Sequence, residues 1–552
     1  MKNRSKYLLV SSLILFAGMQ LYGQQEEVVV IKPYDPTLSG AEKIDLLPVM
    51  GDTVNYRQPV FEYRVFPKRF ETEFKVNPIQ PAKMVQMPLP KLYKSELNLG
   101  VGNYLTPLAE LTINQLRSKD GSMGLRLRHH SMNGKVRMDD GTRKEAGFSD
   151  NDLEFFGARY MNNTNLEYRI GGNYNSVVQY GVDSLITDTL TRKELTSPYY
   201  TGFASLSLYS AHADSFHLNY RADLAYYIFS HNLEQVEHGA YLEGSFDKAL
   251  RKQTIGAELG VRYYRHQPEW DSVSTNVVLV KINPWIAMSS SEWSFIAGIN
   301  TYSGVRNGDF VPHFYPRAKF QFNIVKEVLV PYFGVDGYMQ TNTYRNMAME
   351  NPYINPTVYA QPTNYQLVAY GGLKGRFTDK VAWNIRGSYS IIQDMYFFRL
   401  DSTVDLRNQF TVLYDDVQLA NVYAELAIYP KKDLSILLKG NYYNYVTVSE
   451  DYAWFKPSFD ASLEAKYNMG DKILTEASLF VIGPRYYDAF DSFNVPGKLP
   501  ATVDLNLGVE YRYTGLLSFW VRVNNMLAQR YYLYNQYPSF RFRLMAGFTY
   551  TL

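Results

Sequence analysis

The C-terminal stretch, residues 501–552, alternates apolar with polar side chains, and this alternation constrains the fold more than any other feature of the sequence. A side-chain period of two is that of a β-strand. In the final run aromatic and aliphatic positions alternate with Arg541, Arg543, Thr549 and Thr551. On the hidden face of a water-soluble sandwich, such charges would cost several kcal/mol each unless they were paired. The pattern is instead typical of a transmembrane β-barrel, which turns its apolar face to lipid and its polar face to a wet interior.

The same alternation recurs from Tyr93 to the C-terminus, and it predicts an all-β antiparallel barrel of about 22 strands over residues 93–552. Most of the runs approach the length that crosses a bilayer at a tilt. They centre on Leu97, Leu111, Leu127, Phe156, Ile170, Leu206, Leu224, Leu242, Leu259, Val280, Ile296, Phe320, Val335, Ala369, Ile385, Val422, Leu438, Leu463, Leu479, Leu507, Val521 and Leu544.

The connections between these runs alternate in length, which independently supports a barrel. Those after even-numbered runs are short and rich in turn residues, at 119–121, 162–164, 326–327, 378–380, 430–433, 469–471 and 514–515. Those after odd-numbered runs are often long, at 133–150, 181–198, 345–364 and 486–500. Outer-membrane barrels have short periplasmic turns and longer outer loops. With an even strand number, we expect both termini in the periplasm.

Composition agrees with this class and excludes others. The chain has 48 Tyr and 15% aromatic residues, as the aromatic girdles of a membrane barrel require. Tyrosines cluster near the predicted strand ends, where we expect girdle anchors, at Tyr199, Tyr200, Tyr263, Tyr264, Tyr442, Tyr443, Tyr445, Tyr486, Tyr487, Tyr531, Tyr532 and Tyr534. A net charge of +2 gives no basic surface, so no nucleic-acid partner is expected. The absence of cysteine excludes disulfides and thiolate metal sites.

The N-terminal region divides into a predicted signal peptide and a proline-rich segment. Lys2, Arg4 and Lys6 precede an apolar run at 8–19, and cleavage after Gly23 would give a signal peptide of residues 1–23. Residues 24–92 contain many prolines, which exclude interior strands and helices. We therefore expect an extended segment in the periplasm or the barrel lumen, with one short strand at 28–31.

The alternation also assigns charged residues to the inner face of the barrel. This wall mixes both signs, so its members are expected mainly to pair with one another and with water, although a substrate-selective charge ring is an alternative. The lumen-facing candidates are Arg126, Arg128, Arg221, Asp223, Glu243, Glu258, Arg262, Lys374, Arg376, Glu425, Lys439, Glu464, Lys466, Asp504, Glu510, Arg512, Arg541 and Arg543.

The last strands resemble the barrel of TonB-dependent receptors, in the form common among Bacteroidota. The resemblance rests on residues 504–511 and 517–527, and 525–527 look like the Asn-Leu-Phe turn of that family. The segment Glu27, Val28, Val29, Val30 and Ile31 looks like a TonB box, a strand that such receptors offer to TonB by edge addition, or else a strand for another partner. Family members carry a folded plug of well over a hundred residues before the barrel. Residues 24–92 leave no room for one, so the resemblance implies a plugless barrel.

An unplugged barrel of this width needs something else in its lumen. Three fillers are possible: the N-terminal segment, infolded loops such as 345–364, or a partner protein. The first two predict a porin-like channel in transport across the outer membrane. The third predicts a non-catalytic barrel subunit of an outer-membrane assembly or secretion complex, bound to other outer-membrane or periplasmic proteins or lipoproteins.

No residue pattern indicates an enzyme, a cofactor or a metal site. The neighbouring His129 and His130 would face opposite sides of a strand and could not easily share a metal ion. The acidic residues of the predicted loops are expected to be solvated, with calcium bridging to lipopolysaccharide as the alternative. The remaining expected partners are outer-membrane lipid and lipopolysaccharide.

Overall fold

A computed structural model describes residues 93–552, except 116–117, 183–189, 213–216, 233–234, 268–274, 307–308, 326 and 489–495. The predicted signal peptide, the proline-rich segment and the TonB-box-like strand at 27–31 lie outside the described residues. Within the described part of the chain, no helix is long and apolar enough to cross a membrane.

The regular secondary structure of the described chain is almost entirely β-strand, with one short helix. The first strands are β1 (Ser95–Gly102), β2 (Thr106–Asn114), β3 (Gly121–Arg137), β4 (Arg143–Tyr160), β5 (Thr164–Val178), β6 (Thr196–Ser210), β7 (Asn219–His231), β8 (Gln235–Leu250) and β9 (Gln253–Gln267). The middle elements are β10 (Thr275–Ser289), β11 (Trp293–Arg306), β12 (Asp309–Phe322), β13 (Val330–Gln340), α1 (Tyr344–Glu350), β14 (Thr363–Thr378), β15 (Val381–Leu400) and β16 (Phe410–Lys431). The last are β17 (Leu434–Thr447), β18 (Phe459–Met469), β19 (Ile473–Ile482), β20 (Arg485–Tyr487), β21 (Gly497–Leu499), β22 (Thr502–Arg512), β23 (Leu517–Asn524), β24 (Tyr532–Tyr534), β25 (Tyr537–Pro538) and β26 (Arg543–Thr551).

Twenty-two of these strands form one antiparallel sheet that closes on itself. Each strand pairs with the next along the chain, and β26 pairs with β1 from Glu96 opposite Thr551 to Gly102 opposite Met545. The hairpins β20–β21 and β24–β25 lie outside this sheet. All 22 predicted runs fall on the 22 barrel strands, so the predicted fold class is confirmed. Closure leaves no unpaired sheet edge, as a lipid environment requires.

The two ends of the barrel differ in their connections. The short-turn end carries the turns at 161–163, 251–252, 379–380, 432–433 and 470–472 and the C-terminus. At the last of these turns Gly470 and Asp471 both have positive φ, which suits a tight hairpin. The long-loop end carries the connections at 179–195, 341–362, 401–409, 448–458, 483–501 and 525–542. All connections of nine or more residues lie at the long-loop end, which agrees with the predicted placement of the long loops, but three connections at that end, 103–105, 232–234 and 307–308, are as short as the turns at the other end.

One predicted loop was wrong in extent. Residues 133–150 were expected to form a long loop, but β3 continues to Arg137 and β4 begins at Arg143. The two strands stay paired along this stretch, with Lys135 opposite Glu145. Backbone pairing continues here although small and polar residues interrupt the alternation, because ladder hydrogen bonds do not depend on side-chain polarity.

The two faces of the sheet have different chemistry. Residues directly opposite each other in an antiparallel pair lie on the same face, so the register can be followed strand by strand around the barrel. One face presents large apolar side chains, among them Leu127, Leu153, Ile170, Leu224, Leu242, Ile282, Ile385, Val422 and Leu438, all substantially exposed. The other face carries most of the charged residues in the strands, as described next.

Candidate functional site

The cross-strand register places the predicted lumen candidates on a common face. Starting from Arg128, the directly opposed residues are Glu110 on β2 and Asp152 on β4. Around the rest of the barrel, the register puts every candidate that lies in a strand on this face. Arg541 is the exception, because it precedes β26, and its Nε donates 2.8 Å to the Ala528 carbonyl oxygen. We call this common face the inner face.

Charges on the inner face are arranged in pairs of opposite sign. Glu243 accepts from Arg262 and, at 2.9 Å, from Lys281. Further pairs are Arg128 with Glu110 at 3.1 Å and Asp152 at 3.4 Å, Arg126 with Glu154 at 3.5 Å, Arg221 with Asp223 at 2.9 Å, Arg317 with Glu258 at 2.8 Å, Arg376 with Glu327 at 3.9 Å and Lys466 with Glu476 at 3.5 Å. Most of these side chains are part-exposed, so each pair adds little stability. The wall is thus polar and charge-balanced.

The other candidates occupy this face with different neighbours. Asp504 accepts from the Tyr531 hydroxyl at 3.0 Å, and the Lys374 amine lies 5.7 Å from the centre of the Tyr332 ring. Glu425 accepts from the Tyr423 hydroxyl. The residues opposite the rest are Glu425 for Lys439, Leu437 for Glu464, Trp520 for Glu510, Ser518 for Arg512 and Asn524 for Arg543.

The connection between β13 and β14, residues 341–362, reaches across the long-loop end, and we call it the cap segment. It contains α1, whose N-cap is Thr343. Glu237 of β8 is fully buried, and its carboxylate accepts from the backbone N–H of Tyr344 at 2.6 Å and of Arg345 at 3.3 Å. The Tyr227 hydroxyl also donates to this carboxylate, at 2.9 Å. A carboxylate at the first turn of a helix satisfies donors that the helix leaves unpaired.

Two buried histidines of the inner face hold the same segment. His231 of β7 bonds the Tyr344 hydroxyl through Nδ1 at 2.8 Å, and its Nε2 bonds Ser197. His266 of β9 donates 3.1 Å to the Pro356 carbonyl oxygen and stacks on Tyr344 with ring centroids 4.6 Å apart. Burial raises the pKa of the Tyr344 phenol well above its usual value, so this hydroxyl stays protonated.

The far part of the cap segment is joined to β15 and β16. Ile354 bridges to Phe410, and the backbone N–H of Asn355 donates 2.7 Å to the Phe410 carbonyl oxygen. The Asn355 side chain donates 2.7 Å to Asp401. In the closed sheet, at least five strands lie between β9 and β15 along either path. A segment that contacts both groups must cross the barrel opening, and we therefore infer that the inner face lines the lumen.

Aromatic side chains of other long loops complete the cap. Tyr353 stacks on Tyr537 at 3.5 Å between ring centroids, and the Tyr537 hydroxyl donates to the Asn408 carbonyl oxygen. The Tyr180 hydroxyl donates 2.8 Å to the Pro538 carbonyl oxygen. The apolar cluster formed in this way includes Val136, Val178, Tyr199, Phe229, Met347, Ile354, Phe397, Phe410, Trp454 and Leu499. Strands and loops from most of the circumference therefore meet at this end.

The girdle prediction was wrong for part of the tyrosine set. Tyr199 and Tyr264 are buried on the inner face, and Tyr534 packs in the cap cluster against Phe410. Tyr263 and Tyr442, by contrast, are exposed on the outer face. Adjacent strand residues point to opposite faces, so a Tyr-Tyr pair supplies one lipid-side ring and one interior ring.

The sequence did not indicate Glu237, His231 or His266 as site residues. Each is a polar residue on the inner face close to the long-loop end of its strand, a position that the alternation could have identified. The sequence does not show which residue each side chain contacts, since Glu237 and its partner Tyr344 are 107 residues apart. Among the described residues no group of three or more His, Cys, Asp or Glu side chains is placed to hold a metal ion.

Comparison with known proteins identifies the architecture. No protein-family model and no curated protein sequence matches the chain. Among solved structures, the siderophore receptor PirA from Acinetobacter baumannii has a TM-score of 0.64 at 10% identity, over 84% of this chain and 81% of that one. The FrpB iron transporter from Neisseria meningitidis has a TM-score of 0.65 at 8% identity, over 84% and 82%. The copper transporter OprC has a TM-score of 0.61 at 11% identity, over 83% and 80%. At such identities the likeness shows a shared barrel fold.

Proposed function

We propose that this protein is a plugless β-barrel of the bacterial outer membrane that passes polar solutes, with the cap segment as its constriction and both termini in the periplasm. The observation that carries the proposal is the cap segment itself, which crosses one mouth of a polar, charge-balanced lumen. An infolded loop of this kind narrows a wide barrel to a selective passage. The structural neighbours named as receptors and transporters support a transport role.

The outer face suits the lipid contacts that this location demands. Its large exposed apolar side chains would be costly in water and are stabilised by acyl chains. Lipid and lipopolysaccharide are therefore the proposed surroundings of the barrel. In this proposal transport does not depend on pulling a plug, so TonB is not required for the passage of solute.

Planar-bilayer conductance of the purified, folded protein tests the proposal. The cap segment can be shortened cleanly, because the Asn342 side chain donates 2.9 Å to the Gln361 carbonyl oxygen and the two ends of the segment are therefore adjacent. Replacing residues 343–360 by a short Gly-Ser linker should raise the single-channel conductance several-fold over wild type. If neither protein conducts, the channel proposal is wrong.

A different measurement distinguishes the channel from the alternative role, a non-catalytic subunit of an outer-membrane assembly. Gentle detergent extraction followed by native mass measurement should give the barrel alone if it works as an independent channel. A particle with stoichiometric additional subunits would favour the alternative.

A further inference from the structure

A polar cavity of about 650 Å³ lies directly beneath the cap segment, and we call it the chamber. The inner face of β5 to β9 forms its wall, and Thr341, Thr343, Arg345 and Asn346 of the cap segment form its roof. Its volume is in the range of small-molecule sites, roughly 300–1,000 Å³. Nothing in the cap contacts described above requires this space, so the chamber is available to a solute.

The charged side chains of the chamber are close to balance. Its lining includes four arginines and three carboxylates, namely Arg169, Arg221, Arg262 and Arg345 against Glu167, Asp223 and Glu243. Arg221 and Arg262 are neutralised by the wall carboxylates next to them. Arg169 lies 4.0 Å from a carboxylate outside the chamber lining, that of Glu154.

Of the arginines that line the described part of the chamber, Arg345 is the one that makes no ion pair, and the buried carboxylate of Glu237 acts on its charge only at longer range. Among the described residues no carboxylate lies within ion-pair distance of its guanidinium, and its Nε is buried without an acceptor. The guanidinium lies over the Tyr227 ring, 4.7 Å from the ring centre, which holds it at the roof. A buried donor without a partner is costly, and a planar guanidinium is suited to a carboxylate or a phosphate.

The remaining lining of the chamber is rich in hydroxyl and amide groups. Ser205 and Ser207 of β6 face it from the wall, and Thr341 and Asn346 from the roof. Ser207 already donates to Asp223 at 2.6 Å and Thr341 accepts from Arg262 at 3.2 Å, so these hydroxyls belong to networks with spare capacity. Such a surface recognises a solute that carries hydroxyl groups of its own.

We propose that the chamber binds a small hydroxylated anion, of the sugar-phosphate or sugar-acid class, whose anionic group pairs with Arg345. The hydroxyl groups of the solute bond to the serine and threonine hydroxyls and to the wall ion pairs. Arg345 belongs to α1, and the wall belongs to the barrel. A bound solute therefore joins the cap segment to the wall and holds the constriction in place.

Calorimetric titration of the folded barrel in detergent measures this binding directly, with glucose 6-phosphate, glucose and inorganic phosphate as probes. Glucose 6-phosphate should bind best. Arg345→Gln should weaken its binding about tenfold or more, as expected for losing a charged hydrogen-bonding partner. The matched control is Arg386→Gln, which removes an inner-face arginine that lies over the Tyr423 ring at 5.7 Å on the opposite wall. This control should bind as wild type does.

Heat-modifiable gel mobility first shows that each variant is folded, so that a loss of binding is not a loss of folding. Equal binding of glucose and glucose 6-phosphate, or an unaffected Arg345→Gln variant, would overturn the inference. If inorganic phosphate binds as tightly as glucose 6-phosphate, the proposed recognition of the solute's hydroxyl groups is wrong. This binding site rests on the proposed channel function. Titration does not require conduction, so a barrel that does not conduct and a chamber that does not bind solute are distinguishable results.

Discussion

Glu237→Gln should release the cap segment while leaving the barrel intact. The substitution keeps the size of the side chain but replaces one carboxylate oxygen with an amide nitrogen, which cannot accept. In the structure one oxygen accepts from the Tyr344 N–H at 2.6 Å, and the other from the Arg345 N–H at 3.3 Å and the Tyr227 hydroxyl at 2.9 Å. Either orientation of the amide leaves at least one buried donor without an acceptor.

The size of the effect follows from that loss. A buried donor left without an acceptor costs about 1–3 kcal/mol. Removing a fully buried carboxylate offsets part of this cost, since a buried charge is itself unfavourable. A net of about 2 kcal/mol remains, which is roughly a 30-fold shift toward the released cap.

Hydrogen exchange measured by mass spectrometry on the cap segment reports this shift. Amides of α1, such as Met347 N–H, which bonds the Thr343 carbonyl oxygen at 3.0 Å, should lose protection by about the same factor. Glu425→Gln is the matched control, because Glu425 also accepts from a tyrosine hydroxyl on the inner face. Unchanged protection in Glu237→Gln, or an equal loss in Glu425→Gln, would refute the role given to Glu237.

Three further substitutions, two of them with a matched control, test the seam between the first and last strands and the ordering of the loop after β17. Trp520→Ala should destabilise the barrel by about 3–5 kcal/mol in a urea titration, since its buried indole donates to β1 at 2.7 Å. The control Trp383→Ala, on the lipid side, should cost less in the same titration. Gly547→Ala should cost about 1–3 kcal/mol, because its Cβ would lie 2.2 Å from a backbone oxygen of β1. Gly508→Ala, with 3.9 Å of clearance, should be near neutral in the same titration. Asp415→Asn should speed proteolysis of the loop after β17, because the carboxylate accepts from three consecutive backbone N–H groups there; an unchanged rate would contradict this.

The barrel was predictable from the sequence because each membrane strand must satisfy the same local rule. A strand such as β16 alternates Val422, Tyr423, Ala424 and Glu425, and the period of two fixes which side chains share a face. The register then follows from short turns such as that at Gly470. Strand existence, order and facing are therefore local properties repeated along the chain.

The cap was predictable only as a long loop. Residues 345–364 were one of three candidate fillers, and nothing local in them specifies contact with Glu237 or Phe410. Those contacts join residues far apart in sequence, and they depend on the diameter and stagger of the finished barrel. The same reason explains why Tyr264 was expected in a girdle and is buried beneath the cap.

Thiol labelling along β16 in lipid vesicles tests the central claim most directly, since the native chain has no cysteine. Single cysteines at Asn421, Val422, Tyr423, Ala424 and Glu425 would be treated with a membrane-impermeant, water-soluble maleimide after the vesicles are made permeable. Positions 421, 423 and 425 should react and positions 422 and 424 should not, because the register alternates them between an aqueous lumen and lipid. Uniform labelling, or the opposite alternation, would contradict a barrel with a wet, charged interior.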